Sequence, residues 1–189
     1  MKGFKGLKKK HHKKTKWLGF FVFLAIVAFT FPQWIKILYP LPYYDIVMEN
    51  ANEYQLDPWL VFAVMKAESK FDRRAESIVG ASGLMQIMPE TAWWISSKLG
   101  KEITAEDLKR PDINIELGCW YLAYLEDEFS YNVPVTIAAY NAGHNRVSEW
   151  LANAVWDGTL AGIDQIPYPE TRQYVKQVLR NLEGYHRYN

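Results

Sequence analysis

A long apolar run near the start of the chain has a pattern unlike that of the sequence after it. No charged residue occurs from Trp17 to Phe31, and the run extends without charge to Ile35. A segment of about 20 apolar residues is long enough to cross the hydrocarbon core of a bilayer. Trp17 and Trp34 bracket it, as aromatic residues do at membrane interfaces. The pattern predicts a transmembrane anchor over residues 17–36.

Two other interpretations of this run predict a different structure. A cleaved signal peptide needs small residues at its cleavage site, but Tyr39-Pro40-Leu41-Pro42 follows the run. A helix buried in a globular domain would usually leave a polar face, and the run has none. The uncleaved anchor therefore agrees best with the pattern.

The rest of the chain has helical periodicity and no convincing run of alternating polar and apolar residues. Several of these segments begin at a proline or end before a glycine, which are typical helix boundaries. The predicted helices are Tyr43 to Tyr54, Pro58 to Glu68, Glu90 to Leu99, Pro111 to Phe129, Val135 to Asn141, Arg146 to Leu151 and Pro169 to Tyr185, with a loop from Ala154 to Pro167. The sequence predicts a mainly α domain.

The predicted helix after Asp57 carries a carboxylate at its end. Leu60, Val64 and Glu68 recur at four-residue intervals and share one face, which is apolar until Glu68. Loss of hydration on such a face raises the pKa of a carboxyl group. A carboxyl that keeps its proton near neutral pH is suited to general acid catalysis of glycosidic bond cleavage. The alternative is a glutamate that turns out to water at the helix end.

The length and composition of the chain agree with one domain of ordinary size and an additional short segment. Apolar residues make up 49% of the 189 residues and aromatic residues 15%, which is enough for a core. The only cysteine, Cys119, lies in an apolar helical segment and is predicted to be core. We find no cluster at metal-ligand spacing and no phosphate-binding glycine loop, so we expect neither a metal nor a cofactor.

Charge is distributed unevenly along the chain. Residues 1–16 contain eight lysines and no acidic residue, whereas the remainder has 14 basic and 21 acidic residues, a net charge of −7. The lysines predict a cytoplasmic tail over residues 1–16 and an extracytoplasmic domain beyond the anchor. The negative charge of residues 43–189 argues against nucleic-acid binding. Pro40 and Pro42 stiffen a linker over residues 37–42.

Three separated sequence motifs follow the linker. They are E-S-K-F at residues 68–71, G-A-S-G-L-M-Q-I-M-P-E-T-A at residues 80–92 and A-Y-N-A-G at residues 139–143. Together with Ser77 they resemble the soluble-lytic-transglycosylase family of peptidoglycan-cleaving enzymes. The resemblance covers about residue 43 to the C-terminus and implies a lysozyme-like fold.

The resemblance implies that Glu68 is the single catalytic acid and base. It would protonate the oxygen between N-acetylmuramic acid and N-acetylglucosamine, then accept the proton of the muramyl C6 hydroxyl, which closes a 1,6-anhydro ring. Asp72, Glu76 and Glu90 are near enough in the sequence to keep a mechanism with paired carboxylates open.

The resemblance also implies substrate contacts on the first wall of a cleft. Ser77 and Gln86 match hydrogen-bonding residues around the acid, and Met88 matches a methionine in contact with the sugar. Simpler roles are open for each. Serine and glutamine often cap loops, and methionine often fills gaps in a core. We assign Met85 to the core.

Tyr140 and Asn141 match the second wall of the cleft. The Tyr140 hydroxyl could hold Glu68 or the acetamide of the substrate. Glu170 matches the last family motif and would support the floor of the cleft. Alternatively, its negative charge would only stabilise the N-terminus of its helix. Four tryptophans are of the type that stacks on sugar rings, but the sequence alone singles out none: Trp93, Trp94, Trp150 and Trp156.

The expected function is that of a membrane-anchored lytic transglycosylase acting on peptidoglycan glycan strands. The expected location is the bacterial cell membrane, with a single span and the N-terminus in the cytoplasm. A muramidase of the same fold would hydrolyse the same bond and leave a reducing end. A non-catalytic wall-binding scaffold would not need the complete set of site residues.

Overall fold

The chain forms two compact units, Met1–Pro40 and Leu41–Asn189. The computed structural model describes the backbone of residues 7–189 and the side chains of residues 17–25, 27 and 33–189. Across this described part, no helix is both long and apolar enough to cross a membrane. The side chains of the predicted basic tail and those of residues 26 and 28–32 in the predicted anchor lie outside the described residues.

The first unit contains one helix, α1 (Leu7–Leu38). The second unit is mainly helical, as predicted, with two short 3-10 helices at Glu106–Lys109 and Ile163–Gln165. Its helices are α2 (Tyr44–Glu53), α3 (Pro58–Glu68), α4 (Pro89–Leu99), α5 (Pro111–Glu128), α6 (Val133–Ala142), α7 (His144–Ala152) and α8 (Pro169–Tyr188). The seven predicted helices are confirmed with shifts of a few residues at their ends. The predicted loop between α7 and α8 contains the second 3-10 helix.

The ends of α3 and α4 confirm that proline and glycine mark helix boundaries in this chain. The Asp57 carboxylate accepts a hydrogen bond from the Trp59 N–H at 2.9 Å, and Pro58 occupies the first turn of α3. Gly100 ends α4 with a φ of 66°, a conformation that glycine adopts without steric cost. These boundaries follow from local chemistry.

Helix α3 lies at the centre of the domain. Every residue from Leu60 to Met65 is at most 1% exposed, whereas the sequence pattern indicated burial of one face only. The difference arises because α2 and α8 both pack against α3. The rings of Tyr44 and Tyr185 contact the Phe62 ring at centroid distances of 6.4 and 5.7 Å. The side chains of Cys119 and Met85 are buried, as predicted.

A buried asparagine connects α5 to the segment between α3 and α4. The Asn114 carboxamide donates to the carbonyls of Ser82 and Leu108 at 3.0 and 2.8 Å, and it accepts from the Met85 N–H at 2.8 Å. Gly83 passes so close that a Cβ atom would lie 2.2 Å from the Leu108 carbonyl oxygen. Hydrogen bonds from one side chain therefore fix the path of this segment.

Asn114→Ala is expected to lower the free energy of unfolding by about 3 kcal/mol, because it leaves buried backbone groups without partners. Urea denaturation followed by tryptophan fluorescence measures the change. Asn145→Ala, at an exposed position, is the matched control and should change stability by less than about 0.5 kcal/mol. Equal effects of the two substitutions would contradict the bridging role of Asn114.

Candidate active site

The candidate acid, Glu68, is the last residue of α3. The chain turns sharply after it, and Lys70 and Phe71 both have positive φ angles, of 52° and 69°. The Ser69 hydroxyl supports this turn by donating to the Leu84 carbonyl at 2.7 Å and accepting from the Phe71 N–H at 3.1 Å. The turn therefore fixes the end of α3 against the segment that follows it.

The Glu68 carboxyl group is largely withdrawn from water, and this burial raises its pKa from 4.5 to about 7. The Tyr174 hydroxyl donates a hydrogen bond to Glu68 Oε1 at 2.6 Å, which acts in the opposite direction and lowers the pKa. Burial has the larger effect. The rise in pKa predicted from the sequence is confirmed, and Glu68 does not turn out to water.

Tyr174 is the residue in contact with Glu68 that sequence reasoning did not single out. It lies on α8, 106 residues along the chain from Glu68, and is 9% exposed. Helix α8 packs against α3, and this packing brings the two side chains together. Its signal in the sequence is its place four residues after Glu170, in the last family motif.

Tyr140 has a different hydrogen bond from the one considered from the sequence. Its hydroxyl donates to the Met85 carbonyl at 2.9 Å, so its proton is not shared with Glu68. The pKa of Tyr140 is raised well above its ordinary value by burial and, secondarily, by the charge of Glu68. Tyr140 is therefore close to the candidate acid and stays protonated.

Ser77 and Gln86 both bond to the loop between α3 and α4. The Ser77 hydroxyl accepts from the Ala81 N–H at 2.9 Å. The Gln86 side-chain amide donates to the carbonyls of Ala75 and Gly83 at 3.0 and 2.9 Å. The two residues shape the loop, and their contact with a substrate stays a prediction.

The other predicted site residues lie on three helix ends. Met88 is half-buried and directly precedes α4. Asn141 is near the end of α6, where its side-chain oxygen accepts from the Thr171 hydroxyl of α8 at 2.8 Å. Glu170 is exposed in the first turn of α8. The roles assigned to these three residues remain predictions.

Two of the three carboxylates that could form a pair with Glu68 are engaged elsewhere. Glu76 forms an ion pair with Lys109 at 2.9 Å, and Asp72 accepts from the Arg74 N–H at 2.9 Å. The shift in the Glu68 pKa arises from burial and Tyr174, with no contribution from a neighbouring charge. No group of three potential metal-ligating side chains occurs among the described residues.

Comparison with known proteins relates this arrangement to one family. The family model described as the transglycosylase SLT domain matches residues 45–161. The soluble lytic murein transglycosylase of Escherichia coli K12 is 37% identical over 153 residues, which is 79% of this chain and 24% of the relative. A membrane-bound lytic murein transglycosylase C of Actinobacillus pleuropneumoniae is 29% identical, over 76% of this chain and 45% of that protein.

A solved structure shows the same similarity. An inactive mutant of the lytic transglycosylase Slt from Pseudomonas aeruginosa superimposes with a TM-score of 0.74 at 37% identity. The match covers 81% of this chain and 25% of that protein. The chain thus spans about a quarter of the length of the Escherichia coli and Pseudomonas aeruginosa proteins. The structural similarity confirms the fold that the resemblance implied for the domain.

Glu68→Gln is expected to stabilise the protein at alkaline pH. The folded-state pKa of about 7 exceeds the ordinary value of 4.5, so the stability linked to the Glu68 proton is complete below pH 4.5 and is lost as the pH rises through 7. At about pH 8 the substitution should raise the free energy of unfolding by roughly 2 to 3 kcal/mol, and in acid it should change it little.

Urea denaturation at the two pH values measures this difference. Glu102→Gln, which replaces an exposed carboxylate, is the matched control and should show no such dependence. A stability difference between Glu68→Gln and the parent protein that is the same at both pH values would contradict the buried, proton-retaining carboxyl.

Proposed function

The chain belongs to the transglycosylase SLT domain family, and from that premise we propose that it is a lytic transglycosylase of peptidoglycan. The bond cleaved is the one between N-acetylmuramic acid and N-acetylglucosamine. The observation that carries the proposal is the Glu68 carboxyl, whose pKa is about 7 and which accepts a hydrogen bond from the Tyr174 hydroxyl. Such a group exchanges a proton easily in both directions near neutral pH.

In the first step Glu68 acts as the acid. The protonated carboxyl gives its proton to the bridging oxygen, the C1–O bond of the muramyl residue breaks, and N-acetylglucosamine leaves with a free C4 hydroxyl. The positive charge that develops at C1 is met by the N-acetyl group of the substrate. Burial of the carboxyl favours this step because it keeps the proton on Glu68 before the reaction.

In the second step the Glu68 carboxylate acts as the base. It removes the proton of the muramyl C6 hydroxyl while that oxygen attacks C1, and a 1,6-anhydro ring forms. The proton lost in the first step is thereby recovered, and no water is consumed. The Tyr174 hydroxyl, 2.6 Å from Oε1, stabilises the carboxylate between the two steps.

The positions of the other carboxylates favour this reaction over hydrolysis. An inverting muramidase would use a second carboxylate to activate water. Glu76 is paired with Lys109, Asp72 caps a turn, and the charge of Glu90 contributes nothing to the pKa shift of Glu68. A non-catalytic scaffold is disfavoured for another reason. A buried carboxyl with a raised pKa lowers stability at alkaline pH, and a protein that only binds the wall gains nothing from it.

We further infer that residues 17–36 anchor the domain to the bacterial cell membrane with a single span. The support is the uncharged run from Trp17 to Ile35 and the eight lysines that precede it. One relative of the chain is described as membrane-bound. The lysines would stay in the cytoplasm and the catalytic domain would face the cell wall.

Purified peptidoglycan treated with the full-length protein is expected to release muropeptides that are lighter by one water than hydrolysis products. Mass spectrometry distinguishes the two. Glu68→Gln should reduce the rate by at least about 1000-fold, because it removes both the acid and the base. Glu102→Gln should keep the parent rate. Products with reducing ends would support the muramidase instead.

The rate should also depend on pH in a defined direction. Because the first step needs protonated Glu68, kcat/KM is expected to fall above the pKa of about 7. Tyr174→Phe removes a hydrogen bond that lowers this pKa, so the alkaline limb should move to higher pH while the maximal rate falls. An unchanged alkaline limb would contradict the proposed role of the Tyr174 hydroxyl.

The full-length protein is expected to float with phospholipid vesicles in a density gradient and to resist extraction by alkaline carbonate. A variant lacking residues 1–40 should remain at the bottom of the gradient with its catalytic rate retained. A full-length protein that carbonate extracts would contradict the spanning anchor.

A further inference from the structure

A cavity beside the first turns of α4 is unused by the mechanism above. It has a volume of about 300 Å³ and is lined by Glu90, Thr91, Trp94, Tyr121 and His144. These residues come from α4, α5 and the first residue of α7. The volume is at the lower end of the range for small-ligand sites, so it suits one chemical group of a larger substrate.

Aromatic rings form the walls of this cavity and its immediate surroundings. The Trp94 ring is nearly perpendicular to the rings of Tyr121 and Tyr124, at interplanar angles of 87° and 77°. The His144 ring stands at 90° to Tyr124 with a centroid distance of 6.0 Å. These edge-to-face contacts hold the rings in fixed orientations beside the cavity, and the face of an aromatic ring attracts a cation that lies over it.

One side chain that lines the cavity, that of Glu90, is acidic. Glu90 precedes Trp94 by four residues on α4, so the two side chains lie on the same face one turn apart. No lysine or arginine lines the cavity. Within the described part of the chain, the structure assigns the Glu90 carboxylate no ion pair. A cationic group would therefore find both a counter-charge and aromatic faces.

Two tyrosines, Tyr121 and Tyr140, connect the lining of the cavity to the surroundings of the candidate acid. The ring of Tyr121 lies 5.5 Å from the ring of Tyr140. The Tyr140 hydroxyl bonds to the Met85 carbonyl, and the charge of Glu68 helps to raise the Tyr140 pKa. A glycan strand positioned at Glu68 could therefore place a substituent in the cavity.

We propose that this cavity binds a primary ammonium group of the substrate, with Trp94 and Tyr121 contacting the cation through their ring faces and Glu90 supplying the counter-charge. The identity of the substrate as peptidoglycan rests on the proposed function. Two parts of that polymer carry primary ammonium groups: the diamino acid of an uncross-linked stem peptide and an amino sugar without its acetyl group. A neutral sugar could stack on Trp94 but would form no ion pair with Glu90, which is exposed.

The test compares kcat/KM of the full-length protein on soluble glycan strands before and after their ammonium groups are acetylated. The parent protein is expected to prefer the strands with free ammonium groups by on the order of tenfold. Glu90→Gln and Trp94→Leu should each reduce this preference to less than about twofold. The matched controls, Glu102→Gln and Trp93→Leu, replace an exposed residue of the same type and should keep it.

A further pair of substrates separates the two sources of the ammonium group. Strands from which an amidase has removed the stem peptides keep only the amino sugars. Loss of the preference on these strands assigns the cavity to the diamino acid, and its persistence assigns the cavity to the amino sugar. Equal kcat/KM on free and acetylated strands, or a preference that survives both Glu90→Gln and Trp94→Leu, overturns the proposal.

A binding measurement keeps the inference separate from the catalytic activity. The indole N–H signal of Trp94 is followed by NMR while a blocked lysine amide is added, with its Nζ-acetylated form as the control. A saturable shift with the free amine alone, lost in Glu90→Gln, supports the proposal even if no anhydro product is formed. The absence of such a shift overturns the proposal, whereas missing anhydro products alone would overturn the proposed function.

Discussion

The burial of one carboxyl group at the end of α3 is the constraint on which the rest of the domain depends. Glu68 keeps a raised pKa only while α3 is enclosed and α8 is packed beside it. Enclosure of α3 is possible because six successive side chains from Leu60 to Met65 are apolar and fully buried. The helix that supports the core is thus also the helix that removes the carboxyl from water.

Polar contacts hold the loop between α3 and α4 in one conformation. Within the described residues its β structure consists of two isolated bridges, in which Ser82 pairs with Glu76 and Ile87. Asn114 and Gln86 add side-chain hydrogen bonds to backbone groups of the loop. Such contacts fix a conformation more sharply than apolar packing, because each buried partner is costly to leave unpaired.

Sequence reasoning succeeded where the physical cause was local. Proline in the first turn, aspartate at the N-cap and glycine at the end act on neighbouring residues, so the limits of α3 and α4 follow from the printed sequence. The raised pKa of Glu68 also followed, since it needs only an apolar environment. The all-round burial of α3 did not, because it depends on which helices pack around it and not on its own periodicity.

The sequence by itself determined the helices, the core position of Cys119 and Met85 and the candidate acid, because these depend on short-range patterns and on residue type. The tertiary structure alone decided that Tyr174, and not Tyr140, bonds to Glu68, since 106 residues separate the pair and only the packing of α8 on α3 unites them. It also decided that Trp94, among several tryptophans, lines a cavity with Glu90. Contacts between distant segments depend on how helices pack, which no local pattern contains.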